Sequence, residues 1–194
     1  MSSPSVLPGT GFGEIRAQVR QFVWRPDVRV TEVGSPSRIA AHSLAIEAEL
    51  TGAGGERASG RLILLHAPDG DPAWAGEYRC VSLAEADVDA AMAADPALND
   101  VGWSWLTEAL TRSGGRYVAE SGTVTTTTGR SFGGLAGQPD QAGIEIRCSW
   151  TPILDSDPDI RPHLAAWQDL LCLTAGLAPT AALPGGFGDD GWIR

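Results

Sequence analysis

His66, Asp69 and Asp71 form the polar cluster in this chain best suited to chemistry. The histidine closes a nearly apolar run, Arg61 to His66, and both carboxylates follow in the turn Asp69-Gly70-Asp71-Pro72. Imidazole changes charge near neutral pH, so a histidine beside a carboxylate can act as a general base. A catalytic site also needs further convergent groups, and the sequence supplies only this turn. A strand-end histidine bonded to a turn carboxylate or carbonyl explains the same residues. We prefer that reading and assign no catalytic residue; His66, Asp69 and Asp71 stand as weak candidates.

The other motifs are weaker. Ser104, in Gly102-Trp103-Ser104-Trp105, lacks the second glycine of a nucleophile elbow and falls on the polar side of a helix. Asp155-Ser156-Asp157-Pro158-Asp159 imitates the start of a calcium loop, but Ile160 stands where glycine is required and Ala166 where glutamate is required. An acidic approach to a helix N-terminus accounts for it. His42, His66 and His163 are too scattered for a zinc signature. Gly9-Thr10-Gly11-Phe12-Gly13 follows no strand, which removes a dinucleotide loop. There is no lysine, since all 14 basic residues are arginine. That excludes Schiff-base and pyridoxal phosphate chemistry and a P-loop with its lysine. Codon bias in a GC-rich genome explains the pattern, and Asn99 as the sole asparagine. No cofactor and no metal are expected.

Aromatic residues supply the second kind of candidate. Trp103 and Trp105 share an amphipathic helix, Trp150 lies on a strand, and Trp167 on the last helix. Trp105, Trp150 and Trp167 read as core. Trp103 stands at the margin of its apolar arc and is expected to be partly exposed. Phe132 lies in the glycine-rich connection Gly129 to Gly143, and Trp192, with Phe187, in the C-terminal tail. Large aromatics at a surface are the usual anchors of an interface, so Trp103, Phe132 and Trp192 are the candidate partner-binding residues.

The elements that position these groups follow from periodicity. Ile15, Val19, Phe22 and Val23 give a helix over Glu14 to Trp24, ended by Pro26. Strands are expected at Val28–Val33, Leu44–Leu50, Arg61–His66 and Gly76–Ser82. Ser82 and Glu85 read as a capping box for a helix from Leu83 to Ala94. A second helix spans Val101–Ser113, stopped by Gly114 and Gly115. Tyr117–Thr128 is β-branched. Ile144, Ile146, Cys148 and Trp150 alternate with polar residues, and a last helix covers about Ile160 to Ala175. Short turns between consecutive strands and clustered helices predict an α+β single domain. Its core is a mostly antiparallel twisted sheet of about six strands, with helices mainly on one face. Residues 1–12 and 179–194 are expected to be flexible tails around a domain at 13–178.

Composition narrows the setting. The 194 residues carry a net charge of −10, which opposes nucleic-acid binding, where phosphate neutralisation dominates affinity. Nine acids and one arginine fall within residues 69–108, whereas five arginines and three acids fall within residues 1–38. Three sparse cysteines, Cys80, Cys148 and Cys172, suit free thiols in a reducing compartment. No stretch approaches a membrane span, and the first residues lack a signal-peptide pattern. The expected location is the cytoplasm.

These segments resemble an actinobacterial family described as domain of unknown function 3000, over about Glu14 to Leu177. The stretches that carry the resemblance are Trp24-Arg25-Pro26-Asp27-Val28, Leu64-Leu65-His66-Ala67-Pro68, Val101 to Leu110 and Ser121-Gly122-Thr123-Val124. Ser131-Phe132-Gly133-Gly134-Leu135, Ser149-Trp150-Thr151-Pro152 and Trp167-Gln168-Asp169-Leu170-Leu171-Cys172 complete the set. The resemblance implies a host lineage and a cytoplasmic setting, and supplies no site residue. The residues themselves point to a non-catalytic protein-binding or adaptor domain, using an apolar groove near Trp103 or a sheet edge. The alternative is a small-molecule receptor or enzyme with a pocket around His66, Asp69 and Asp71. A homodimer through an edge strand is a third possibility.

Overall fold

Period-two patterning writes six segments of this chain into one sheet. The computed structural model describes residues 10–154 and 158–180. Its strands are β1 (Val28–Val33), β2 (His42–Thr51), β3 (Arg57–Asp71), β4 (Gly76–Asp87), β5 (Tyr117–Gly129) and β6 (Gln141–Pro152). Helices are α1 (Thr10–Gln21), α2 (Ala90–Ala93), α3 (Leu98–Arg112) and α4 (Arg161–Thr174), with a 3-10 turn at Gly133–Leu135. The sheet order is β1-β2-β3-β4-β6-β5, with every neighbouring pair antiparallel. β1 to β4 form a meander. The chain then crosses through α2 and α3 to the far edge, lays down β5, and returns as β6 between β5 and β4. This is the expected α+β single domain on an antiparallel sheet of six strands.

The helix expected over Leu83 to Ala94 does not form. β4 continues to Asp87 and pairs with both β3 and β6, leaving only the single turn α2. Ser82, Ala84 and Ala86 turn inward while Val81, Leu83 and Glu85 turn outward. Two flanking strands satisfy the backbone of this segment, so sheet pairing overrides the local helix preference of Leu, Ala and Glu. The serine that looked like a helix cap instead accepts a hydrogen bond from Trp167 Nε1 at 2.9 Å. The N-terminal boundary also moves. Residues 10–12, assigned to the tail, begin α1, and Phe12 is buried in the core.

Side chains on one face of the sheet meet the helices. Register aligns Leu44, Leu64, Cys80 and Trp150 in one inward row, and Ala48, Gly60, Ala84 and Ile146 in another. The second row is small at its centre because α4 lies on it. A Cβ at Gly60 would stand 2.5 Å from Leu171 Cδ2 and 2.9 Å from the Leu83 carbonyl oxygen. α4 is buried through His163, Leu164, Ala166 to Cys172 and Thr174, so it forms the centre of the helical layer. Trp150 and Trp167 are fully buried, while Trp103 and Trp105 are partly buried against the same core.

α3 holds the β5 side. Its Trp103 ring lies over Gly122, where a Cβ would meet Trp103 at 2.9 Å and the Arg147 carbonyl oxygen at 2.3 Å. Only glycine leaves that room between a ring and a strand backbone. Gly122→Ala is expected to lower the unfolding free energy by about 1–3 kcal/mol through overpacking. Urea denaturation followed by tryptophan fluorescence measures this, and an unchanged midpoint would show that the ring and strand can part freely.

Candidate functional site

The histidine singled out by sequence sits in a stack of rings. His42, His66 and Tyr78 are register partners on β2, β3 and β4, and Phe12 of α1 closes over them. Phe12 stacks on His42 and His66 with ring centres 5.5 and 5.6 Å away, and Tyr78 stacks on His66 at 4.4 Å. His42 Nδ1 and His66 Nδ1 are 3.1 Å apart, so one ring donates and the other accepts. Burial, followed by the charge of His42, holds His66 below the usual histidine range, with Glu77 pulling weakly the other way. The two turn carboxylates are employed elsewhere or stand open. Asp71 Oδ1 accepts from the Ala73 amide at 2.8 Å, and Asp69 is exposed. A ring filled on both faces by other rings presents no surface to a substrate.

The remaining candidates are placed as follows. Ser104 Oγ donates to the Val101 carbonyl at 2.8 Å within its own helix. His163 is buried and accepts from Trp150 Nε1 at 3.1 Å. Asp159 pairs with Arg161 at 2.7 Å, and residues 155–157 lie outside the described residues. The three cysteines are free and buried. Burial raises all three thiols, Cys148 to about 12 and Cys172 to about 11, so none is a thiolate at neutral pH. Trp103 is half-buried over Gly122. Phe132 is 75% exposed beside the 3-10 turn of the β5–β6 hairpin, whose base is closed by Arg130 and Asp140 at 2.8 Å. Trp192 and Phe187 lie outside the described residues.

A further accessible surface is one that no motif announced. Opposite the helices, the sheet presents an open face built of cross-strand rows. Ile63, Val81, Ser149 and Ser121 form one row, which the buried Ala45 continues on β2; Glu47, Arg61, Leu83, Arg147 and Thr123 form the next; Glu49, Ser59, Glu85, Glu145 and Thr125 form a third. Three adjoining hollows of about 670, 540 and 600 Å³ lie on this face. The hollow of about 540 Å³ is lined by Ile63, Val81 and Leu83 together with Arg61 and Arg147. Arg61 pairs with Glu47 and Arg147 with Glu145. Exposed pairs of this kind add little stability, and they leave the face carrying both signs of charge side by side.

Two features of this face depend on register. Glu85 lies directly opposite Glu145. Burial, a hydrogen bond from one carboxyl to the other and the Glu145 charge push Glu85 above the usual carboxylate range, while Arg147 counters them. Paired carboxylates can do acid–base work where an enclosed site fixes a substrate between them; here they lie on an open trough. Arg79 is buried at the other end of the face. It donates to the Ala119 carbonyl at 2.7 Å, Thr151 Oγ1 at 3.0 Å, Ser121 Oγ at 3.2 Å and Ser149 Oγ at 2.6 Å. It thereby stitches β4 to β6 and to the bulge in β5, where Ala119 takes φ 53°. Among the described residues no three His, Cys, Asp or Glu side chains are grouped to hold a metal ion.

A family model for proteins of unknown function, DUF3000, matches residues 8–183. The chain belongs to that family. No curated protein and no solved structure matches it. In this DUF3000 chain, several polar residues of the stretches noted above serve the architecture. Gln168 Oε1 accepts from the Arg25 amide at 2.8 Å. Asp169 accepts from Arg112 Nη1 at 3.0 Å and from the Thr180 amide at 2.8 Å. Arg25 pairs with Asp27 at 2.7 Å and donates to the Ala178 carbonyl at 2.8 Å. These contacts fasten the chain after α4 onto the segment after α1. No described helix of this DUF3000 protein is long and apolar enough to cross a membrane.

Proposed function

We propose that this protein is a non-catalytic binding domain of the cytoplasm, and that the open sheet face holds its partner. The observation that carries the reading is the apolar strip Ile63, Val81 and Leu83, partly exposed on β3 and β4, the two middle strands of the sheet. A sheet usually buries at least one apolar face and solvates the other with polar residues. Here the solvated face has an apolar middle with polar margins, the arrangement found in protein interfaces. The partner fitted to it is a polypeptide surface with apolar side chains at its centre and both signs of charge around them. Arg29, Arg61 and Arg147 stand among Glu47, Glu49, Glu85 and Glu145, so the face is nearly balanced on a chain of net charge −10. Such a surface selects against strongly basic or acidic partners, which would leave charges unpaired. Phe132 and Leu135, exposed on the β5–β6 hairpin, offer a second contact.

Tagged wild-type protein and the variant Val81→Glu with Leu83→Glu are purified from the native host. The wild type is expected to retain a partner in fixed proportion. The double variant, folded by circular dichroism, is expected to lose it at least tenfold. Equal recovery of that partner by both proteins would remove the open face from the account. A protein retained by neither would remove the binding function.

A further inference from the structure

The sequence treats the two edges of the sheet differently. β1 is 6 residues long and carries Arg29 and Glu32, and Glu32 is held by Arg16 at 3.3 Å and Arg20 at 3.0 Å. Shortness and charge blunt an edge against pairing with another strand. β5 is 13 residues long and pairs with β6 alone. From Ser121 to Gly129 it reads Ser-Gly-Thr-Val-Thr-Thr-Thr-Thr-Gly, without a charge or a proline. The β-branched residues suit an extended strand. The bulge of β5 lies ahead of this stretch, between Val118 and Ser121, and beyond it the register to β6 runs unbroken to Gly129. Among the described residues, no backbone hydrogen bond reaches the outer side of Ser121 to Gly129. A neutral, regular, uncovered edge of this kind is a template for another strand.

We propose that the outer edge of β5 pairs antiparallel with β5 of a second copy, about a two-fold axis near Thr125, joining two sheets into one. Symmetry decides in favour of a second copy. In an isologous antiparallel pair the residue on the axis faces its own copy and its neighbours lie close to theirs, so a charge near the axis would stand beside a like charge. The neutral Ser121–Gly129 stretch meets that condition on a chain whose net charge of −10 opposes self-association elsewhere. With Thr125 on the axis, Thr125 faces its own copy, Thr123 faces Thr127 and Val124 faces Thr126 of the second copy, so no charged residue is brought into the pairing. α2 and α3, which pack on β5, add apolar surface through Met92 and Val101, 40% and 43% exposed, beside the half-buried Trp103. Once the two β5 strands pair, the edges that remain are the charged β1 strands, so assembly closes at two copies.

The test is size-exclusion chromatography with light scattering on the full chain at tens of micromolar, with two variants. The wild type is expected at about twice the 20.3 kDa of one chain. Thr125→Lys and Thr125→Glu are each expected at the single-chain mass while remaining folded by circular dichroism. An equimolar mixture of the two is expected to regain the doubled mass, since opposite charges then meet across the axis. In the wild type, amide exchange at 121–129 is expected to slow as concentration rises, a readout that needs no variant. The inference is overturned by a wild type of single-chain mass, by variants that stay paired, by a mixture that stays apart, by assemblies larger than two, or by exchange that ignores concentration. None of these measurements involves Val81 or Leu83, so the result is separable from the proposed partner face.

Discussion

Trp167→Ala is expected to remove about 3–5 kcal/mol of unfolding free energy, the range for emptying a large aromatic from a core. The ring is fully buried. It meets Trp24 edge-on at 5.8 Å, and its Nε1 donates to Ser82 Oγ at 2.9 Å. It also stands over Gly60, whose missing Cβ makes room for α4. Because α4 is enclosed nearly all round, its neighbours cannot collapse far into the space, which keeps the cavity cost high. Domains are stable by about 5–15 kcal/mol in all, so the variant is left marginal or unfolded. Trp167→Phe keeps part of the ring but removes the indole donor to the buried Ser82 hydroxyl, and is expected to lose less than the alanine variant. Guanidinium denaturation at neutral pH measures both. A loss under about 1 kcal/mol for the alanine variant would contradict a closed core at this position.

Acid is expected to destabilise the protein through His163. Its imidazole accepts a hydrogen bond from Trp150 Nε1 and is buried, and burial pushes it down to about 4 against a partial upward pull from Asp159. In the unfolded chain it titrates near its ordinary 6.5. Between those values the unfolded chain binds a proton that the folded chain refuses, so stability falls as the pH drops from about 6.5 to about 4 and levels off below. The depression corresponds to roughly 3 kcal/mol at about 1.4 kcal/mol per pH unit. Denaturation midpoints collected from pH 7 to pH 4 on the wild type and on His163→Leu isolate this share, because every other titrating group is present in both. The variant leaves Trp150 Nε1 without its acceptor and is expected to start about 1–3 kcal/mol lower at pH 7. It then declines less steeply through the window. Parallel declines would show that the histidine protonates freely in the folded state.

Much of the fold was legible because most of its strands are written in alternation. Ile144, Ile146, Cys148 and Trp150 announce β6, and Ile15 and Val19 announce α1, although that helix ends at Gln21 and not at the expected Pro26. The helix read over Leu83–Ala94 failed for a physical reason. Ser82 and Glu85 satisfy a local capping rule, yet β3 and β6 offer two ladders of hydrogen bonds that no local rule can see. That error also hid the candidate site. Read as a strand, the same residues would have set Val81 and Leu83 on the face opposite Ser82 and Ala84. The apolar floor of the open face would then have been visible. Glu85 and Glu145, and Arg79 with Ser121 and Ser149, become neighbours only through the order β4-β6-β5. Nothing in the one-dimensional spacing encodes that order. His66 was found for its chemistry and lies in a stack of rings, because its partners His42, Tyr78 and Phe12 come from three other elements.

The indoles of Trp150 and Trp167 and the imidazoles of His66 and His163 are buried in the interior, and the open sheet face is the surface proposed for a partner. Oxidative footprinting of the protein purified with its native partner, beside the same protein alone, measures this most directly. The account predicts that labelling of Ile63, Val81 and Leu83 falls several-fold in the complex, while that of Val23, exposed in the segment after α1, is unchanged. Equal labelling of the three in both samples, with protection gathered instead around His66 and Asp69, would contradict it.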